Sequence, residues 1–332
     1  MTSDLAAPLV TVLMTARDAS DYIAAAVDSI RAQTVEDWEL LVVDDASADD
    51  TPRIVEDYAA ADPRVRLVRR SVSGGPYVAA NHGLQESRGT YLARLDADDI
   101  SLRDRLERQL RFLRQRPGLR GCMGEIQVMA GDRLLRFGKR VIPTLPRAVK
   151  WGLATRAFFP STALLETAAV RDVGGYRELE ASQDHRLWCD LARREWLGVL
   201  PEVLAYWRRH ERQLSDRKYE LQQSLGSEVV AEHLSELSGS MWTTRAAHVL
   251  RSIGASQPIP LREGLAVLKR YERAWRADVT LSADERHELE RLTSRLRSDH
   301  VREAARKAIT SRGPGRSALE LYTRVNLKMR RR

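Results

Sequence analysis

Over the first 95 residues, short unbroken apolar runs alternate with stretches whose apolar residues recur at helical spacing, and this alternation leaves few folds open. Residues 9–14 (LVTVLM) and 39–43 (ELLVV) have the pattern of strands covered on both faces of a parallel sheet. Between them, Ile23, Val27 and Ile30 mark a helix over 21–33. The order then repeats: 51–61 predicts a helix with Pro52 accommodated in its first turn, 65–68 a strand, 77–86 a helix and 90–95 a strand. Strands alternating with helices of this length predict an α/β sheet with helices on both faces. Ser101-Leu-Arg-Asp104 predicts a capped start to a further helix, with Leu102, Leu106, Leu110 and Leu113 on one apolar stripe and a stop near Pro117-Gly118. Residues 120–182 read as strands and loops completing this domain, 184–194 as a helix, and 198–200 and 203–207 as short strands.

Beyond Glu211 the character changes to long amphipathic patterns at 216–238, 242–253, 261–276 and 283–310, broken at Gln257-Pro-Ile-Pro260 and Gly313-Pro-Gly315. A chain of 332 residues has room for about two domains, and the expected division is 1–215 and 216–332. Charge follows the same division. Lys and Arg balance Asp and Glu at 30 against 30 over residues 1–210 but outnumber them 24 to 16 over 211–332, so the net +8 is entirely C-terminal. With Leu265, Leu268 and Trp275 on one side of a basic helix, this region is expected to serve as a helical cap, a homodimer contact or a peripheral attachment to an anionic membrane. No recognition motif accompanies the charge, so nucleic acid is not an expected partner. No run approaches the ~18 apolar residues of a spanning helix, and the N-terminus, with Asp4 and no basic region, is not that of a signal peptide. Cys122 and Cys189 stand far apart without metal-ligand spacing, which fits a reducing cytoplasm.

In an open α/β sheet, chemistry gathers beyond the C-terminal ends of the strands. Those positions are acidic here: Thr15-Ala-Arg17-Asp18 follows the first strand, Asp44-Asp45 the second and Asp96-Ala-Asp98-Asp99 the fourth. Neither GxGxxG after strand one nor GxxxxGK[ST] is present, which disfavours a dinucleotide dehydrogenase and a P-loop NTPase. Three carboxylates packed within four residues repel one another, and a divalent cation offsets that repulsion while clamping a diphosphate. A solvated acidic turn ahead of a helix is the simpler alternative.

The run Tyr91-Leu-Ala-Arg-Leu-Asp-Ala-Asp-Asp-Ile-Ser-Leu-Arg-Asp-Arg-Leu-Glu-Arg-Gln109 resembles the DxD segment of the family 2 glycosyltransferases of GT-A fold. Val10 to Gln33, with Thr15 and Ser20-Asp21-Tyr22, resembles their first strand and helix, in particular the spore-coat polysaccharide type. Val42-Val-Asp-Asp-Ala-Ser-Ala-Asp49 resembles their second-strand signature, in which Gly usually stands where Ala46 is. Gly74-Gly75 through Asn81-His-Gly83, Val173-Gly-Gly-Tyr176 with Ser182-Gln-Asp-His-Arg-Leu-Trp188, and Tyr206-Trp-Arg-Arg-His210 with Gln213 and Ser215 resemble the remaining motifs, in order, over about residues 8–215.

The resemblance implies a GT-A-type, Rossmann-like mixed sheet flanked by helices with a mainly helical C-terminal region, and an inverting transfer from a nucleotide-diphospho-sugar, a UDP-sugar first, to a hydroxyl of a glycan or lipid-linked acceptor. The work would be cytoplasmic, or peripheral at the inner face of the plasma membrane. It assigns Asp45 to accept from the uracil imide N–H, a role suited to an acceptor-only carboxylate, and Thr15, Arg17 and Asn81 to the nucleotide pocket. Asp96 becomes the ribose- or metal-side carboxylate, Asp98 the principal ligand of Mn²⁺ or Mg²⁺, His210 a further metal or diphosphate contact, and Arg208 a phosphate contact. Asp184 becomes the base that deprotonates the acceptor. Trp151, Trp188 and Trp207 are open to stacking on sugars or to the core, and Phe159 makes the acceptor side apolar. Two other readings remain: a sugar-phosphate nucleotidyltransferase, which lacks its Gly-rich basic loop here, and a catalytically degenerate adaptor, which the intact Asp45, Asp98 and Asp184 oppose.

Overall fold

The computed structural model describes residues 7–131, 133–135, 141–211, 213 and 218–312. Ser215 of the closing motif and the segment from residue 313 onward lie outside them. Two compact units are present: residues 1–139 with 158–222, and residues 140–157 with 223–332.

The first unit is built on strands β1 (Val10–Ala16), β2 (Trp38–Asp44), β3 (Val65–Arg69) and β4 (Tyr91–Arg94), with helices α1 (Ile23–Arg31), α2 (Thr51–Ala61) and α3 (Pro76–Glu86) between them. The four strands run parallel in the order β3-β2-β1-β4. Every residue of β2 is buried, and Leu40 to Val43 are covered on both faces of the sheet. Residues Val10, Val12 and Met14 of β1 pack with Ile23, Val27 and Ile30 of α1 in one core.

The sheet continues with β5 (Ile100–Ser101), β6 (Gly121–Ala130), β7 (Arg133–Leu135), β8 (Leu164–Glu166) and β9 (Leu197–Arg209). Beyond β4 the order is β8-β6-β9-β5, with β7 paired to β6; β8 is antiparallel to both neighbours, so the sheet is mixed. Three expectations change here. The capped start at Ser101 is instead the short strand β5, whose Ile100 pairs with Tyr206, so Leu102 precedes helix α4 (Arg105–Arg114) and its stripe is Leu106, Leu110 and Leu113. The two strands expected at 198–200 and 203–207 form one strand, β9, kinked by register shifts against Met123–Ile126. Residues 120–182 also contain helices α5 (Pro146–Gly152) and α6 (Thr167–Asp172), each too short for periodicity to reveal. Helix α7 (Gln183–Arg193) follows.

The second unit joins α5 to α8 (Tyr219–Ser238), α9 (Thr244–Gly254), α10 (Leu261–Ala277) and α11 (Ala283–Arg312), where the patterns predicted helices; the first turn of α8 counts with the sheet unit. Residues 140–157 therefore pack with helices that follow them by more than 60 residues. Trp151 is fully buried there, donating from Nε1 to Asp278 (2.9 Å), while its carbonyl accepts from the Tyr271 hydroxyl (2.7 Å). Leu268 and Trp275 are fully buried in the same core, so most of the apolar stripe expected to meet a membrane is consumed inside the unit. Among the described residues no helix is long and apolar enough to cross a membrane.

Candidate active site

The loops that leave β1, β2 and β4 meet at one edge of the parallel strands. The loop after β1 is held by the loop after β2: Ser47 Oγ accepts from Asp18 N (3.0 Å), Asp18 accepts from Ala48 N (2.8 Å) and Asp49 accepts from Ser20 N (2.9 Å). Burial alone would push the Asp49 carboxyl up, but hydrogen bonds from Thr51 and Ser20 outweigh it and hold the pKa at about 2. Between these anchors Ala46 has φ 61°, the left-handed region that favours glycine, at the position where the resembling signature carries Gly. Ala46→Gly is therefore expected to stabilise the protein by about 0.5–1 kcal/mol in urea unfolding, because relief of the Cβ strain exceeds the added chain entropy.

Asp45, just beyond β2, is buried and met by four donors from one loop: Arg70 Nη1 (2.6 Å), Ser73 Oγ (2.7 Å), and the backbone N–H groups of Gly74 (3.0 Å) and Gly75 (2.9 Å). Desolvation raises its pKa, and these donors more than reverse that, leaving it below the ordinary carboxylate range. A carboxylate offers about four acceptor positions, so all are taken. Arg17 joins the group by donating to Ser73. Thr15 is the penultimate residue of β1, opposite Val43. Asn81 lies elsewhere: its Nδ2 donates to the Tyr176 carbonyl (2.7 Å) and its Oδ1 accepts from Tyr176 N (2.9 Å), so both ends of the amide clamp a backbone turn. Gly175 in that turn has φ 71°, and a Cβ there would lie 2.7 Å from Asn81 Oδ1. Asn81, expected at the nucleotide pocket, thus holds the Tyr176 turn.

The acid turn after β4 is the centre of the arrangement. Ser161 Oγ accepts from Asp96 N (3.1 Å) and donates to buried Asp99, whose other oxygen accepts from Arg208 N (3.1 Å). Arg208 Nε donates to the Asp98 carbonyl (3.0 Å), and His210 Nε2 lies 2.9 Å from Asp98 Oδ2. Arg94, the last residue of β4, is only 5% exposed and donates to the Leu13 carbonyl (2.9 Å) and Asp96 Oδ1 (3.3 Å). Asp96 keeps 38% of its side-chain surface, yet dense surroundings desolvate the carboxyl and, with Asp98 and Asp184 nearby and Arg94 opposing, push its pKa up to about 7. Asp99 is raised well above its ordinary value by burial, then by Asp96 and Asp98. Asp184, in the first turn of α7, is also raised by burial and is drawn down by the same Arg94. One guanidinium thus hydrogen-bonds Asp96 and acts electrostatically on Asp184, 88 positions further along the chain.

Sequence reasoning placed Asp96, Asp98, Asp184, Arg208 and His210 in one region, and the structure brings them there. It missed Arg94, Ser161 and the Asp45 partners Arg70 and Ser73. Arg94 carried a signal nonetheless, since a cation inside the otherwise apolar run Tyr91 to Leu95 must be paired to be buried. Of the tryptophans, Trp188 is fully buried and donates to the Phe158 carbonyl (3.2 Å), and Trp207 packs on Phe159 with centroids 5.2 Å apart. Trp151 and Trp188 are therefore core.

Among the described residues, no three His, Cys, Asp or Glu side chains are grouped to hold a metal. Asp98 and His210 present one carboxylate and one imidazole. Such a pair fits Mn²⁺ or Mg²⁺ when the remaining ligands come from phosphate and water.

A model described as glycosyl transferase family 2 matches residues 11–166. EpsE of Bacillus subtilis (strain 168), provisionally named a glycosyltransferase, is 31% identical over 189 residues, 54% of this chain and 66% of that protein. TuaG of the same strain, provisionally named a teichuronic acid biosynthesis glycosyltransferase, is 39% identical over 109 residues, 33% of this chain and 43% of its own length. The chain thus spans less than two thirds of these curated relatives. Among solved structures, residues 1–349 of S. aureus TarS in complex with UDP-GlcNAc align with a TM-score of 0.59 at 17% identity, covering 90% of this chain and 92% of that one. The mannosyltransferase PcManGT from Pyrobaculum calidifontis, in complex with GDP-Man and Mn²⁺, aligns with a TM-score of 0.56 at 19% identity, covering 91% and 90%. At those identities the likeness is one of fold, and the fold is GT-A.

Proposed function

Since this chain belongs to the family 2 glycosyltransferases, we propose that it transfers a sugar, with inversion, from a nucleotide-diphospho donor to a hydroxyl of a glycan or lipid-linked acceptor in surface polysaccharide synthesis. A UDP-sugar is the first choice of donor. The observation that carries the reading is that Asp184 and the acid turn share one buried arginine electrostatically: burial raises the Asp184 carboxyl and Arg94 draws it down, while the same Arg94 hydrogen-bonds Asp96.

In this reading the acceptor oxygen forms a bond to the anomeric carbon as the bond from that carbon to the diphosphate oxygen breaks. Asp184 takes the acceptor proton, and the nucleoside diphosphate leaves. Asp98 and His210 would hold Mn²⁺ or Mg²⁺, with Asp96 beside them, and the cation would neutralise charge on the departing diphosphate. Arg208 adds fixed positive charge at the same end. Thr15, Arg17 and Asp45 line the base end. A base N–H reaching Asp45 must replace one of the four donors it now holds. The names of the relatives support the polysaccharide setting, and the donors bound by TarS and PcManGT support a nucleotide-sugar.

Calorimetric titration with UDP, GDP and dTDP, each with and without Mn²⁺ or Mg²⁺, tests the proposal. One nucleotide is expected to bind at least about tenfold more tightly with metal, and Asp98→Ala should abolish that gain. Failure of every nucleoside diphosphate to bind would sink the donor assignment and favour the adaptor reading.

A further inference from the structure

His210 is oriented in an unusual way. An imidazole that serves a metal or phosphate site is ordinarily fixed by a hydrogen bond from its second ring nitrogen to a carbonyl or carboxylate. Here Nε2 meets Asp98 at 2.9 Å, while Nδ1 is buried and has no hydrogen-bond partner among the described residues. What touches the ring is another ring. Tyr22 lies with its centroid 4.4 Å from that of His210, tilted by 34°, and the Arg208 guanidinium stands 5.4 Å from the Tyr22 centroid. One aromatic side chain therefore contacts both groups that β9 and its end send to the acid turn.

Tyr22 is itself held firmly. It forms the N-terminal cap of α1, its N–H donates to the Ala19 carbonyl (2.9 Å), and its carbonyl accepts from Ala26 N (3.2 Å). Ala19 N donates to Thr51 Oγ1 (2.8 Å) and Ser20 N to Asp49 (2.9 Å), so the loop that presents the ring is tied to the start of α2. With a rigid backbone on one side and, among the described residues, no second hydrogen bond to the imidazole on the other, the ring contact is what holds His210 beside its bond to Asp98.

We infer that Tyr22 is a positioning residue: its ring face sets the orientation of His210, and so ties the loop after β1 to the metal end of the site. The inference rests on the proposed role of Asp98 and His210. Its physical content is the ring and not the hydroxyl, for which no hydrogen bond is seen among the described residues.

The test is titration of UDP with and without Mn²⁺ into wild type, Tyr22→Phe, Tyr22→Leu and His210→Ala, with thermal unfolding recorded for each. Tyr22→Phe should bind within about twofold of wild type. Tyr22→Leu, which keeps apolar bulk but loses the ring face, should lose about tenfold or more of the Mn²⁺-dependent affinity, as His210→Ala does, with UDP affinity in the absence of metal unchanged. Equal loss with and without metal, or wild-type binding by Tyr22→Leu, overturns the inference while leaving the function in place. A wild-type protein that binds UDP with no gain from Mn²⁺ overturns the reading of Asp98 and His210, and the inference with it.

Discussion

Replacing Asp184 by Asn is expected to lower turnover by about 10²–10⁴-fold while leaving nucleoside diphosphate affinity within about twofold of wild type. Asparagine keeps the shape of the carboxylate and the helix-terminal position but cannot take a proton. The pH profile supplies an independent check. Burial raises the Asp184 pKa, and transfer needs the ionised form, so the acidic limb of kcat should lie above the ordinary carboxylate value of about 4. The residual rate of Asp184→Asn should show no such limb. A variant with normal turnover would remove Asp184 from the chemistry, and one that also lost nucleotide binding would make it structural.

The second large effect is expected at Arg94, and on stability. Arg94→Met keeps the volume of a buried side chain but deletes the cation that faces Asp96 and Asp184 and leaves the Leu13 carbonyl without its donor. Removing one member of such a group costs about 3–5 kcal/mol, because the partners stay behind uncompensated. The loss should depend on pH with a definite sign. Burial lifts the Asp96 pKa to about 7 in the folded state, above its unfolded value of about 4, so its contribution is fully present below about pH 4 and is lost as pH rises to about 7. Without Arg94 both carboxyls are pushed higher still. The difference between wild type and Arg94→Met in urea unfolding should therefore be largest near pH 8 and shrink toward pH 5. Equal destabilisation at both would mean that Arg94 acts by packing alone. Arg94→Lys should recover only part of the loss, since an ammonium cannot reach Leu13 and Asp96 together as the guanidinium fork does.

How much of this was legible in the sequence differs from residue to residue. Helix α2 begins at Thr51 and ends at Ala61, the limits its pattern predicts, and β2 is buried from end to end as its unbroken apolar run requires. Asp45, Asp96, Asp98 and Asp99 stand beyond strand ends because parallel strands carry their loops there. The departure at Ala46 was also visible as a missing glycine, and its left-handed φ shows what that glycine is for. In contrast, Ser101 was misread as the start of a cap because a strand of two residues carries no period, and only the approach of Ala205 and Tyr206 makes Ile100-Ser101 a strand. The four donors on Asp45 come from a loop about 25 to 30 residues away, and nothing in the composition of that loop announces them.

By itself, then, the sequence determined the α/β alternation, the helical C-terminal region and the acidic residues that follow the strands. Each of these follows from what neighbouring residues do to solvent exposure along one segment. Tertiary structure alone decided that Arg94 faces both Asp96 and Asp184, that Tyr22 holds His210, that Asn81 clamps the Tyr176 turn, and that residues 140–157 join the second unit. A periodicity reports which side of an element is covered. Which buried charge or ring meets which partner depends on segments brought together across tens to hundreds of residues, and no local pattern encodes that approach.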